Sequence, residues 1–129
     1  MPFPVDERFV EEAERKVGAR LPESLRRLLM ADNGGQVETP DDIWDLNPIL
    51  DSSDRKRLRR TCNDILRETG EARKWQGFPA NAISIAQNGF GDHLVLLLAE
   101  GCFEPTVYFW SHETGKPAVL APDFSHLLG

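Results

Sequence analysis

The 129-residue sequence has little of what would announce a metal or covalent framework. It has two cysteines, Cys62 and Cys102, and three histidines, His93, His112 and His126. No Cys-x-x-Cys or His-x-x-x-His spacing occurs, so a structural zinc site is not expected. The cysteines fall in a helix-like and a strand-like stretch and are read as reduced, partly buried thiols. A disulfide stays open, because sequence does not report their separation. No apolar run approaches the roughly 20 residues of a membrane helix. Met1 to Asp6 has no basic region followed by an apolar one, so no signal peptide is expected and a cytoplasmic location is. Bases are missing too. Between Arg27 and Arg55 there is none, and after Lys74 the only one is Lys116.

What is present is a globular composition, 40% hydrophobic and 28% charged, on a chain sized for one domain, 1–129. The net charge of −6 is unevenly spread. Asp32, Glu38, Asp41, Asp42, Asp45, Asp51 and Asp54 fill the first base-free stretch; Asp92, Glu100, Glu104, Glu113 and Asp123 fall in the second. The bases gather from Arg55 to Lys74. Such a surface repels nucleic acid over much of its area and attracts basic partners.

Ala82–Ala86 and His93–Leu98 are β-capable runs around a Gly-containing turn, which predicts a β-hairpin. Leu94–Leu98 does not alternate with polar residues, so both its faces should be covered and it should be a central strand. Thr106–Trp110 and Ala118–Ala121 extend the meander. Helices are expected at about 6–17, 22–32 and 53–69. Asp6 is the first N-cap, Gly18 the first C-cap, and Ser52 or Ser53 the cap of the third. Arg26 and Arg27 should face water. In the third helix Leu58, Cys62, Ile65, Leu66 and Thr69 recur at helical spacing, and Gly70 should end it. A short terminal helix follows Asp123, with Phe124, Leu127 and Leu128 inward. Leu96, Phe109, Leu28 and Leu66 should be nearly fully buried. The fold class is α+β, an antiparallel sheet packed with N-terminal helices and a short C-terminal one.

No catalytic constellation emerges. Asn88–Asp92 is glycine-rich, but no helix and no lysine follow it as a phosphate-binding loop requires. Cys102 with a histidine, or Asp92 with His93, would be an enzyme's starting point, and two Cys and three His give such pairs by chance. Asp41 and Asp42 could hold a metal, yet surface carboxylates are mostly only solvated. No catalytic residue, cofactor or metal is therefore expected. The basic run Arg55–Arg60 could mark a small nucleic-acid-binding regulator. No aromatic residue interleaves the bases, and pairing with Asp64 and Glu68 would make the run an ordinary solvated helix face. The segment Gln36–Asp51 reads as acidic and irregular, with Ile43–Leu46 as a possible strand. Trp44 is either a core anchor or an interface residue.

Three ordered stretches resemble the SMI1/KNR4 family of the SUKH superfamily. They are Gly18–Leu25 through Asn33-Gly34-Gly35, Ile83–Ala86 followed by Gly91-Asp92, and Thr106–Glu113 followed by Ala121–Phe124 and Leu127-Leu128. The resemblance implies an α+β fold and a non-catalytic protein-binding role. Bacterial members are similar to immunity proteins that neutralise a toxin, often a nuclease; fungal members act in cell-wall and stress signalling, the alternative function. Family members often carry an aromatic where Leu25 or Leu28 stands and an acid near Leu97. On this basis the expected partner is a basic toxin domain, with no membrane and no direct nucleic acid. The expected contacts are Asp41, Asp42, Trp44 and Asp45, with Asp92 and Glu113 secondary. Nothing in the sequence fixes the oligomeric state.

Overall fold

The computed structural model describes residues 3–128. Helices α1 (Glu7–Val17) and α2 (Glu23–Ala31) precede a hairpin of β1 (Gln36–Thr39) and β2 (Asp42–Leu46). Helices α3 (Arg55–Thr61) and α4 (Ile65–Ala72) come next. Strands β3 (Ala82–Gln87), β4 (Asp92–Ala99), β5 (Cys102–Phe103), β6 (Val107–Ser111) and β7 (Pro117–Ala121) then lead to a 3-10 turn at Phe124–Leu127. The sheet order is β1-β2-β3-β4-β6-β7, with β5 added to the end of β4, and every pairing is antiparallel.

β4 is central because both its faces are apolar. Leu94 and Leu96 enter the main core with Val10, Leu25, Leu29 and Phe124. Val95 enters a smaller core on the other face with Ala72, Phe78, Ala82 and Trp110. Burying each such side chain stabilises the fold by about 1.5–3 kcal/mol. Leu96 is fully buried as expected, but Phe109, Leu28 and Leu66 are only half-buried, and Leu128 is 48% exposed.

The acidic segment is not irregular. Its residues alternate: Val37, Trp44 and Leu46 are buried, while Glu38, Ile43 and Asp45 face out. That period-2 pattern builds β1 and β2 onto the sheet. Trp44 is core, packed edge-on to Phe109 with ring centroids 5.8 Å apart, its indole N–H donating to Thr39 Oγ1 at 3.2 Å.

The expected third helix is two. α3 ends at Thr61, and the Asp64 carboxylate accepts the Arg67 N–H at 3.1 Å, capping α4. Asp favours a cap over a helix interior, so the backbone breaks there. The apparent stripe is divided: Leu58 and Cys62 are exposed, Ile65 and Thr69 buried. Gly70 lies inside α4, and Asp54 caps α3 in place of Ser52 or Ser53. Cys102 is exposed as well, and both thiols are free.

Arg26 does not face water. It is 5% exposed, wedged between α1 and α2. Its Nη1 donates to Glu7 at 2.7 Å, and its Nε lies 3.3 Å from Glu14 Oε2. Glu14 Oε2 also accepts the Leu21 N–H at 2.7 Å, tying the interhelix loop to the same carboxylate. The hydrogen bond to Glu7, with Glu14 beside it, holds the Arg26 pKa above its ordinary value despite burial.

Candidate protein-binding site

The antiparallel register brings three turns to one end of the sheet. Thr39↔Asp42 closes β1–β2, Gln87↔His93 closes β3–β4, and Asp92↔Ser111 places the turn after β6 beside them. The Asn88 amide links two of these elements. Its Nδ2 donates to Asp42 Oδ2 at 2.7 Å and to Asp92 Oδ2 at 3.0 Å. Its Oδ1 accepts the Phe90 N–H at 2.9 Å, a local turn that projects the Phe90 ring outward, 75% exposed.

Glycine makes the third junction possible. Gly91 has φ +88°, and a Cβ there would run into the His112 imidazole. Without it the ring settles on the turn, with Nδ1 3.2 Å from the Gly91 carbonyl oxygen. His112 then packs on Trp75, with ring centroids 5.0 Å apart, leaving Trp75 48% exposed. The Trp75 segment is itself anchored by the Trp110 indole N–H donating to the Gly77 carbonyl at 3.2 Å.

The expected residues separate into four groups. Asp42 and Asp92 meet at Asn88. Asp41 and Glu113 are exposed on neighbouring turns, Glu113 with its backbone N–H bound to Ser111 Oγ at 3.2 Å. Asp45 lies further along β2, exposed beside Ile43 and accepting from Gln36 Nε2 at 2.7 Å. Trp44 faces inward and presents nothing to a partner. Among the described residues, none of Asp41, Asp42, Asp45, Asp92 and Glu113 forms an ion pair. The exposed apolar members, Phe90, Trp75 and Ile43, were not singled out from sequence. The only local signal was an aromatic between two glycines, Gly89-Phe90-Gly91.

Ser84 Oγ and His93 Nδ1 lie 2.7 Å apart, the spacing of a nucleophile and its base. Both are buried, Ser84 completely, and Ser84 Oγ also accepts from Asn47 Nδ2 at 2.9 Å. The Ser84 N–H in turn donates to Thr69 Oγ1 at 2.9 Å, so this is a network joining β3, β4 and α4. Desolvation lowers the His93 pKa, against the pull of Asp92, so the ring is neutral near pH 7. Among the described residues no three His, Cys, Asp or Glu side chains gather as a metal site, and no helix is long and apolar enough to cross a membrane.

The fold is an α+β antiparallel meander backed by helices, with a group of carboxylates that form no ion pair among the described residues on the turns at one end of the sheet. The chain belongs to the SMI1 / KNR4 family (SUKH-1), whose family model matches residues 4–129. The family is generally non-catalytic and often comprises immunity proteins. A comparison with curated proteins finds no match to the chain.

Proposed function

We propose that residues 1–129 act as one cytoplasmic domain, a bacterial immunity protein that binds a basic, nuclease-type toxin domain and has no catalysis of its own. The observation that carries this reading is the set of unpaired carboxylates on the three turns, interleaved with the exposed Phe90 and Trp75 rings. Unpaired acids repel one another, and a basic partner relieves that repulsion as it docks. Complementary fields also speed capture, which suits an inhibitor that must act before its target reaches nucleic acid. The aromatic rings supply apolar area that charge alone lacks, and they can stack on Lys or Arg of the partner. Asp41, Asp42, Asp92 and Glu113 form the acidic part of the surface, and Asp45 extends it along β2.

The test is titration of the purified protein with the toxin domain encoded beside its gene, with the toxin's activity as the readout. Stoichiometric binding that abolishes the activity supports the reading. A neighbouring toxin that neither binds nor loses activity removes it.

A further inference from the structure

The two edges of the sheet, β1 and β7, are not alike. β1 is four residues long, presents Glu38 outward, and runs beside a groove whose wall includes Leu127. A short edge strand that carries charge resists pairing with another chain. β7 reads Pro117-Ala118-Val119-Leu120-Ala121 and has no charged residue. Its first four residues are all exposed, Val119 by 69% and Leu120 by 37%. Side chains alternate between faces along a strand, so four exposed residues in succession leave both faces of β7 open. Ala118 lies opposite Phe109, and Val119 lies opposite Tyr108. Val107 pairs with Ala121, which makes Leu120 the extra residue of a bulge. That bulge and Pro117, at the first position, are the only devices that blunt this edge, and neither falls at Val119.

This neutral edge is flanked by charge of both signs. Lys116, just before β7, is exposed and forms no ion pair among the described residues. Asp123 follows the other end. Its Oδ1 accepts from the Ser125 N–H at 2.7 Å and from Ser125 Oγ, and lies 3.4 Å from His126 Nδ1, which leaves Oδ2 to meet a cation. Such a strand complements itself. Antiparallel pairing about a two-fold axis at Val119 sets Val119 against Val119 and Ala118 against Leu120. It also sets Lys116 against Pro122, one residue from Asp123, at both ends. We propose that a second copy of this chain occupies this edge, with β7 pairing to β7 and the two sheets joined into one. A two-fold contact of this kind uses the same strand from both copies and closes at a dimer. A strand from a basic partner gains nothing here, because β7 carries no acid and Lys116 stands at its entrance. Antiparallel pairing points the acidic turns of the two copies in opposite directions, so the dimer is independent of toxin binding. Two five-residue strands make a small interface, and the dimer is therefore a weak one governed by concentration.

The experiment is sedimentation equilibrium of the full chain from micromolar to millimolar concentration, followed over the same dilution series by amide-resolved NMR. A reductant is present so that Cys62 and Cys102 cannot cross-link. The expected result is a monomer–dimer equilibrium with no larger species, and dilution shifts centred on Lys116, Ala118, Val119 and Leu120. Val119→Lys puts like charges opposite each other at the axis and should weaken association by about tenfold or more. Its circular dichroism spectrum and melt should match wild type, because the side chain it replaces is exposed. Lys116→Gln should weaken association by about threefold, and Glu38→Gln, on the other edge, should leave it unchanged. A chain that stays monomeric up to millimolar concentration overturns the proposal. So do dilution shifts at β1 instead of β7, growth beyond the dimer, or a Val119→Lys variant that associates as wild type does. Shifts at β7 that appear only when a toxin domain is added also overturn it, and assign the edge to that partner.

Discussion

The helical layer and the three-turn end treat acidic residues in opposite ways. On α1 and α2, Glu7 and Glu14 share Arg26, Glu12 meets Lys16 at 3.4 Å, and Glu23 lies between Arg20 and Arg27. At the turns, Asp41, Asp42, Asp92 and Glu113 form no ion pair among the described residues, and the neutral Asn88 amide gathers two of them. The difference teaches where charge is structural. Arg26 is held in its burial by two carboxylates, whereas among the turn acids Asp42 and Asp92 are joined by a neutral amide rather than by a cation. Their positions are maintained by hydrogen bonds that leave the negative charge outward.

The sharpest way to break this comparison is to remove structure from one side only. Leu96→Ala should cost about 2–5 kcal/mol in denaturant melts, as for other large-to-small core changes, while the folded fraction keeps its affinity for the partner. Coincident melts of variant and wild type would contradict β4 as the centre of the core. Next in size is Arg26→Ala. It leaves Glu14 without its cation, and about 2–3 kcal/mol should be lost, less than for a wholly buried pair because Glu7 is half exposed. A loss near zero would mean that the α1–α2 clasp is ornamental.

A pH scan sharpens the contrast for the buried network. The His93 pKa is lowered, chiefly by burial, so the unfolded chain binds this proton more readily than the folded one. Stability from this group is full above the unfolded value of about 6.5 and falls as pH drops towards the folded value, below which it levels. The difference in stability between wild type and His93→Gln should therefore shrink on acidification through that window. A constant difference would show that the ring does not titrate with folding. The smallest effect belongs to the turns: Asp41→Asn and Glu113→Gln should each change stability by less than about 0.5 kcal/mol, measured in the same melts.

Much of the sheet was legible because its signals are local. The unbroken apolar run in β4 requires two covered faces, and Asp6 and Gly18 bound α1 as cap residues do, Gly18 with φ +95°. The helix break at Asp64 was not legible, since Leu58, Cys62 and Ile65 keep helical spacing across it and only the cap geometry separates them. Ile43–Leu46 was legible as a possible strand and forms most of β2, but β1 was obscured by acids that read as a loop until their alternation met β2. Of the surface, the carboxylates could be named singly, but their meeting at Asn88 depends on strand register. Arg26 and Trp44 were decided by which helix or strand face packs inward. Phe90, Trp75 and His112 converge from three separate segments, a relation no spacing in the chain encodes.

The central claim is that the unpaired carboxylates of the three turns are there for a basic partner. Stopped-flow association of the protein with the basic toxin domain proposed as its partner, over a series of ionic strengths, tests it most directly. Wild type should associate fast at low salt and slow steeply as salt rises. Asp41→Lys/Glu113→Lys, which leaves the Asn88 junction intact, should associate more slowly with a flattened salt dependence, while its dissociation rate changes less. An association rate and salt dependence equal to those of wild type would contradict the claim.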